Sequence, residues 1–117
     1  MLDKIKKIYI NNSGAVNVEE DMSFNQGDKN VSYIQINGID ISILTQAKIK
    51  TPGGQVLVKT CSKVDLGKNV YKQVLVPCEE SGVYQVQIIQ SAKDKVSSKE
   101  KVSCSNIFEY TVDAGIE

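Results

Sequence analysis

The sequence predicts an all-β protein, an antiparallel β-sandwich, and three observations carry that prediction. Two segments late in the chain alternate strictly between apolar and polar residues. In Gly82-Val83-Tyr84-Gln85-Val86-Gln87-Ile88, Tyr84, Val86 and Ile88 share one face and Gln85 and Gln87 the other. In Ile107-Phe108-Glu109-Tyr110-Thr111-Val112, Phe108, Tyr110 and Val112 lie opposite Glu109, Thr111 and Asp113. A period of two turns one face of a strand to a core and the other to water. Helical spacing is the second observation, by its absence: no long window sustains apolar residues at i, i+3 and i+4. Third, turn signals recur about every 8–12 residues, which suits a sandwich or barrel of about 7–9 strands.

The elements follow in order. Ile5 to Ile10 reads as a first strand, closed by the turn Asn11-Asn12-Ser13-Gly14, since Asn and Gly tolerate positive φ. Residues 15–30 are polar and read as a long connection with a short strand near Met22 to Phe24. Val31 to Ile36 is a strand ended by Asn37-Gly38, a tight-turn signal between strands. Ile39-Asp40-Ile41 either pairs back or leads into the next element. Leu44 to Lys50 alternates, and Thr51-Pro52-Gly53-Gly54 offers proline and glycine where a type II turn needs them. Gln55 to Thr60 is then the hairpin partner. Val70, Lys72, Val74 and Val76 form one face of a further strand, with Tyr71, Gln73 and Leu75 on the other. Pro77 stops that strand, having no N–H for a ladder. Pro77 to Ser81 is a connection with room for one helical turn. Ser91 to Ser105 is a polar connection able to hold hairpin arms of its own.

Composition sets limits on function. The 117 residues form one expected domain, 1–117, long enough to bury a core without staples. Fourteen basic and fourteen acidic residues cancel, so no electrostatic footprint for nucleic acid exists. The start, Met1 to Lys7, is charged but lacks the apolar run of a secretion signal, and no membrane-spanning segment follows. Three widely spaced cysteines, Cys61, Cys78 and Cys104, give neither a disulfide framework nor a paired metal motif. They read as free, mostly buried thiols, or as one pair plus a free thiol.

No catalytic constellation is present, and no enzyme is expected. Histidine is absent, which removes the commonest general base, the nucleophile triads and most zinc sites. The acidic clusters Glu19-Glu20-Asp21 and Glu79-Glu80 read as solvated loops. A calcium site from Glu19, Glu20, Asp21 and Asp28 is chemically conceivable but lacks EF-hand spacing. No cofactor and no metal are expected. Pro52-Gly53-Gly54 is a turn, without the Gly-Lys-Ser/Thr ending of a phosphate loop. Tryptophan is absent, and most of the aromatic residues fall on core faces. Tyr71, whose face also carries Gln73, is the best candidate for an interface ring.

Glu80-Ser81-Gly82-Val83-Tyr84-Gln85-Val86 resembles the Asp-x-Gly-x-Tyr-x-Cys element of immunoglobulin-like domains, where the tyrosine hydroxyl ties the strand start to an upstream turn. Val86 stands at the cysteine position, so no intersheet disulfide is implied. The fold class expected is therefore an antiparallel immunoglobulin-like β-sandwich. The order of elements also resembles the N-terminal domain of phage baseplate upper proteins. The residues that carry this are Asp28 to Ile36, Ile39 to Ile43, Thr51 to Gly54, Val70 to Val76, Gly82 to Ile89 and Phe108 to Val112. The likeness spans residues 28–113, with residues 1–27 as an N-terminal arm and strand.

That resemblance implies a sandwich that docks onto a tail baseplate, in a virion assembled in the bacterial cytoplasm. Longer members of that family present receptor-binding proteins on downstream segments; this sequence stops at Glu117, which favours a structural or adaptor role. The expected partners are other virion tail, baseplate or fibre-attachment proteins in a multi-copy assembly, with no nucleic acid and no membrane. Candidate interface residues are Ile5, Ile8, Tyr9, Ile39, Ile41 and Tyr71; core positions are their alternative role. The alternative function is a carbohydrate- or cell-wall-binding module, which needs a row of exposed aromatic rings.

Overall fold

In the computed structural model, which describes residues 2–115, the expected alternation becomes strands throughout. Along the chain these are β1 (Lys4–Ile10), β2 (Val16–Val18), β3 (Ser23–Asn25), β4 (Ser32–Asn37), β5 (Leu44–Lys50) and β6 (Val56–Thr60). They continue as β7 (Ser62–Asp65), β8 (Val70–Leu75), β9 (Gly82–Lys93), β10 (Glu100–Cys104) and β11 (Phe108–Asp113). No helix occurs among the described residues. One sheet has the order β2-β1-β4-β8-β7; the other runs β3-β11-β9-β5-β6, with β10 also paired to β9. The two sheets pack together around one core. Ile8, Ile10, Ile34, Ile36 and Val74 reach it from the first sheet; Phe24, Ala47, Ile49, Tyr84, Val86, Ile88, Phe108, Tyr110 and Val112 reach it from the second. Each large apolar side chain fully buried this way contributes roughly 1.5–3 kcal/mol.

Several expectations are corrected. The sheets are mixed, not antiparallel throughout. β1 pairs parallel to β4, with Ile8 beside Ile36, and β11 pairs parallel to β3, with Val112 beside Phe24. Parallel neighbours need a crossover, and the long 11–31 connection supplies it by laying β2 on one sheet and β3 on the other. Among the described residues there are also eleven strands, not seven to nine. β2 and β7 are short and largely exposed, and β10 is exposed at every position, so none carries an alternating core signal. Pro77 to Ser81 contains no helical turn. Asn37-Gly38 ends β4 without making a hairpin, because β5 belongs to the other sheet and Ile39 to Ile41 leads the chain across.

Cys61 marks a further corner. It is the one residue between β6 and β7, which lie in different sheets, and its N–H donates to the Thr45 carbonyl at 2.8 Å. A later crossing, from β8 to β9, is held by tyrosines. The Tyr84 hydroxyl accepts the Glu80 N–H at 3.1 Å and donates to the Glu80 carbonyl at 2.9 Å. The Tyr110 hydroxyl donates to the Pro77 carbonyl at 2.9 Å. Their rings stack at 4.6 Å, and Phe24 meets Tyr110 edge-on at 5.6 Å. Gly82 opens β9 at φ +131°, and a side chain there would also press against Pro52 at 2.9 Å. Glycine is required on both counts.

The β9 edge changes partner part-way. Gly82 to Val86 pairs with β11 and Ile89 to Lys93 pairs with β10. Ser105 fills the gap between them: its N–H donates to the Ile88 carbonyl at 2.9 Å and its hydroxyl accepts the Ile88 N–H at 2.9 Å. The ladder stays satisfied while β10 and β11 separate.

Removing either tyrosine hydroxyl leaves a backbone group of the crossover without that partner. Tyr84→Phe and Tyr110→Phe are each expected to lower unfolding stability by about 1–2 kcal/mol, measured by urea denaturation. Unchanged midpoints in both variants would show that the hydroxyls do not hold this crossing.

Candidate functional site

The register of β1, β4, β8 and β7 decides which side chains share the outer face of the five-stranded sheet. Ile8, Ile34, Ile36 and Val74 point to the core, so their neighbours in sequence point away. Ile5, Tyr33 and Leu75 form one cross-strand row, and Lys7, Gln35, Gln73 and Ser62 the next. Tyr9 pairs with Asn37 and Tyr71 with Val64; the register from Ile36–Lys72 sets Asn37 and Tyr71 side by side. Lys7 is the one charged side chain in these rows.

Exposure along this face is graded. Tyr9 is 54% exposed and Ile5 38%, whereas Gln35 and Tyr71 are each 7% exposed. Tyr33, Gln73 and Leu75 are half-buried. Gln35 donates through Nε2 to Asn37 Oδ1 at 3.0 Å, and Asn37 Nδ2 donates to the Ile8 carbonyl at 3.2 Å. The amides are thereby fixed on the sheet. Gly38, at φ +86°, leaves room for the Tyr9 ring, which a Cβ there would approach to 3.1 Å. The result is a firm platform of tyrosine, aliphatic and amide groups with Tyr9 standing highest.

The platform unites Ile5, Tyr9 and Tyr71 from the residues that sequence reasoning singled out. It does not include the others. Ile8 is 1% exposed in the core, Ile39 is half-buried and packs against the core, and Ile41 is half-buried in the connection before β5. Tyr71 sits on the outward side with Gln73 and Leu75, yet is buried outside the core cluster. Tyr33, Gln35 and Leu75 complete the platform. Their signal was the alternation of Tyr33 and Gln35 against Ile34 and Ile36, which pushes the former outward.

On the opposite outer face, Lys48, Lys50, Val56, Gln85, Gln87 and Ile107 line a shallow groove of about 390 Å³. Two of the four acids considered for calcium go to separate lysines. Asp28 pairs with Lys4 at 2.7 Å and Asp21 with Lys6 at 3.5 Å. Hydrogen bonds from Ser23, helped by Lys6, hold the Asp21 carboxyl below its usual range. Among the described residues, no group of three or more His, Cys, Asp or Glu is placed to hold a metal ion. No described helix is long and apolar enough to cross a membrane.

All three cysteines are free: Cys61 and Cys78 are buried and Cys104 is exposed. Burial pushes the Cys61 thiol from 9.0 up to about 12, against a small opposing pull from Lys72. Burial also raises Cys78, Tyr84 and Tyr110.

No protein-family model matches this chain, and no curated protein matches it.

Two outcomes follow for the titratable groups. A thiol reagent at pH 8 is expected to modify Cys104 alone in the native protein, and all three cysteines in denaturant. A second fast native thiol would contradict the packing. Because the buried thiols and phenols have folded pKa values above their unfolded ones, their neutral forms favour the fold. For Cys61 that stabilisation is complete below about pH 9 and is lost as pH rises toward 12. The urea midpoint should therefore fall between about pH 9 and 11, with a shallower fall in Cys61→Ala. Parallel pH profiles for wild type and variant would rule out the Cys61 contribution.

Proposed function

We propose that this chain is a non-enzymatic structural or adaptor subunit of a phage tail, at the baseplate or at tail-fibre attachment, or of a phage-tail-like bacteriocin. It docks to neighbouring virion proteins after assembly in the bacterial cytoplasm. The observation that carries the docking reading is the nearly uncharged platform on the five-stranded sheet. Depletion of charge around an exposed tyrosine and aliphatic groups is the composition of an interface centre. The amide groups between them, already fixed by Gln35 and Asn37, cost little further ordering on contact.

Three features support the family side of the reading. The order of turns and strands resembles baseplate upper protein N-terminal domains. The Tyr84 hydroxyl bonds the backbone of Glu80, four residues upstream, as in an immunoglobulin-like tyrosine corner. The strand orders β4-β8-β7 and β11-β9-β5-β6 also fit an immunoglobulin-like sandwich, with β1 and β3 as additions that bring the parallel pairs. The lack of histidine supports a role without acid–base chemistry. Recognition of a cell-wall carbohydrate is the second reading, favoured by the tyrosine and amide chemistry of the same platform. It is the weaker one, because Tyr9 is the one strongly exposed ring and Tyr71 is buried.

Particles purified from producing cells, examined by mass spectrometry and electron microscopy, are expected to contain the chain in a ring or at fibre bases. Ile5→Asp with Tyr9→Asp should exclude it from particles while circular dichroism still shows the native fold. Wild-type chain found only free in the cell would end the virion reading. Binding to purified cell walls, abolished by Tyr9→Ala, would move the function to carbohydrate recognition.

A further inference from the structure

Past Ser91, the end of β9, the turn and the start of β10, residues 92–101, form an arm that leaves the sandwich. β5 accompanies β9 only as far as the Leu44–Ser91 pair, and beyond it the β9–β10 ribbon has no other strand beside it. Every β10 residue is exposed. A two-stranded hairpin alone in water is marginally stable, yet the tip of this one is well tied. Asp94 accepts the Val96 N–H through Oδ1 at 3.0 Å and the Ser97 hydroxyl through Oδ2 at 2.9 Å. Its backbone N–H donates to the Lys99 carbonyl at 2.8 Å and its carbonyl accepts the Ser98 N–H at 2.8 Å. Ser98, a non-glycine residue, is held at φ +58°. At the apex stands Val96, 95% exposed. Lys93, Lys95, Lys99 and Lys101 surround it, opposed by Asp94 and Glu100 alone.

The far end of β9 carries the complementary chemistry. The twelve residues of that strand span roughly 40 Å in a molecule 57 Å long. At its start, Lys50, Thr51, Pro52, Val83, Gln85 and Glu109 line a shallow pocket of about 370 Å³. Its apolar members, Pro52 and Val83, are exposed. Glu80 reaches this turn, accepting the Gly53 N–H at 3.2 Å. Glu80 and Glu109 thus outnumber Lys50 at the pocket, and Glu79 and Asp113 are exposed on the adjoining segments.

We propose that the arm docks on a second copy of this chain, with Val96 entering the Pro52–Val83 pocket and the arm lysines facing Glu79, Glu80 and Glu109. Charge complementarity between the two ends selects this occupant. The contact is heterologous, so copies join head to tail and build a ring or a filament. The bonds at Asp94 set the tip before contact, which limits the entropy lost on docking. The inference deepens the assembly role proposed above and rests on it, naming one surface and its partner.

Sedimentation velocity on the full chain tests it. Species larger than the monomer should grow with concentration in low salt and recede in roughly 0.5 M salt, where surface charges are screened. V96D should weaken association by about tenfold or more. K95E/K99E alone and E79K/E109K alone should stay monomeric, each with a native circular dichroism spectrum. Mixed in equal amounts they should associate, since each acidic arm then meets a basic pocket and each basic arm an acidic one. A wild type that stays monomeric throughout, variants that associate like wild type, or a mixture that stays monomeric would overturn the proposal. So would an arm that binds another particle protein while the chain does not self-associate. If the chain occurs in particles but fails these tests, the arm inference alone is lost; if it self-associates but is absent from particles, the virion reading is lost.

Discussion

The stacked pair Tyr84–Tyr110 is the constraint on which the rest of the sandwich depends. A chain that crosses between sheets must bring polar backbone into the core margin, where each unpaired group carries a desolvation cost. Pro77 and Glu80 are such groups, and the two hydroxyls reach them from β9 and β11. The same segment is tied to the turn after β3: the Cys78 carbonyl accepts the Gly27 N–H at 3.1 Å and the Glu79 carbonyl accepts Gln26 Nε2 at 3.0 Å. Phe24 closes the cluster from β3. One aromatic group thus fastens an early strand, a crossover and a late strand at one end of the molecule.

Part of this was legible in the residues. Strict alternation located the cores of β9 and β11, and the placing of Tyr84 after Gly82 announced a hydroxyl aimed at an upstream turn. β5 was legible for the same reason: Thr45, Ala47 and Ile49 are all buried. Pairing partners were not legible. Parallel pairing of β1 with β4 depends on a crossover whose direction no local period encodes. β2, β7 and β10 bury almost nothing, so they lack the contrast that marks a strand. The platform suffered the same gap. Ile5, Tyr9 and Tyr71 could be named one by one, but only the register across β1, β4 and β8 places them on one surface. The burial of Tyr71 arises from neighbours distant in sequence and was equally hidden.

The exposed surfaces fall into distinct kinds. The outer face of the five-stranded sheet is poor in charge; that of the six-stranded sheet mixes Lys48 and Lys50 with Gln85 and Gln87. Val56 and Val58, half or more exposed on β6, mark the edge of the second sheet. Lys101 and Glu100 sit on the free strand β10, the type of residue that discourages indiscriminate edge pairing. Were the platform and the arm tip both to dock as proposed, two separate surfaces would hold one copy, and multivalent attachment of this kind multiplies weak affinities.

The parallel pair β3–β11 also governs the order in which the polypeptide can mature during synthesis. Among the described residues β3 has no strand neighbour other than β11, and the 82 residues from Gln26 to Ile107 separate them. When residues 23–25 leave the ribosome their partner does not yet exist, and Phe24 has no Tyr110 to meet. The five-stranded sheet can assemble from β1 to β8 beforehand, but the second sheet closes late. Folding dominated by such distant pairings is slow, and until β11 arrives, the edge of β9 stays open to mispairing with other nascent copies.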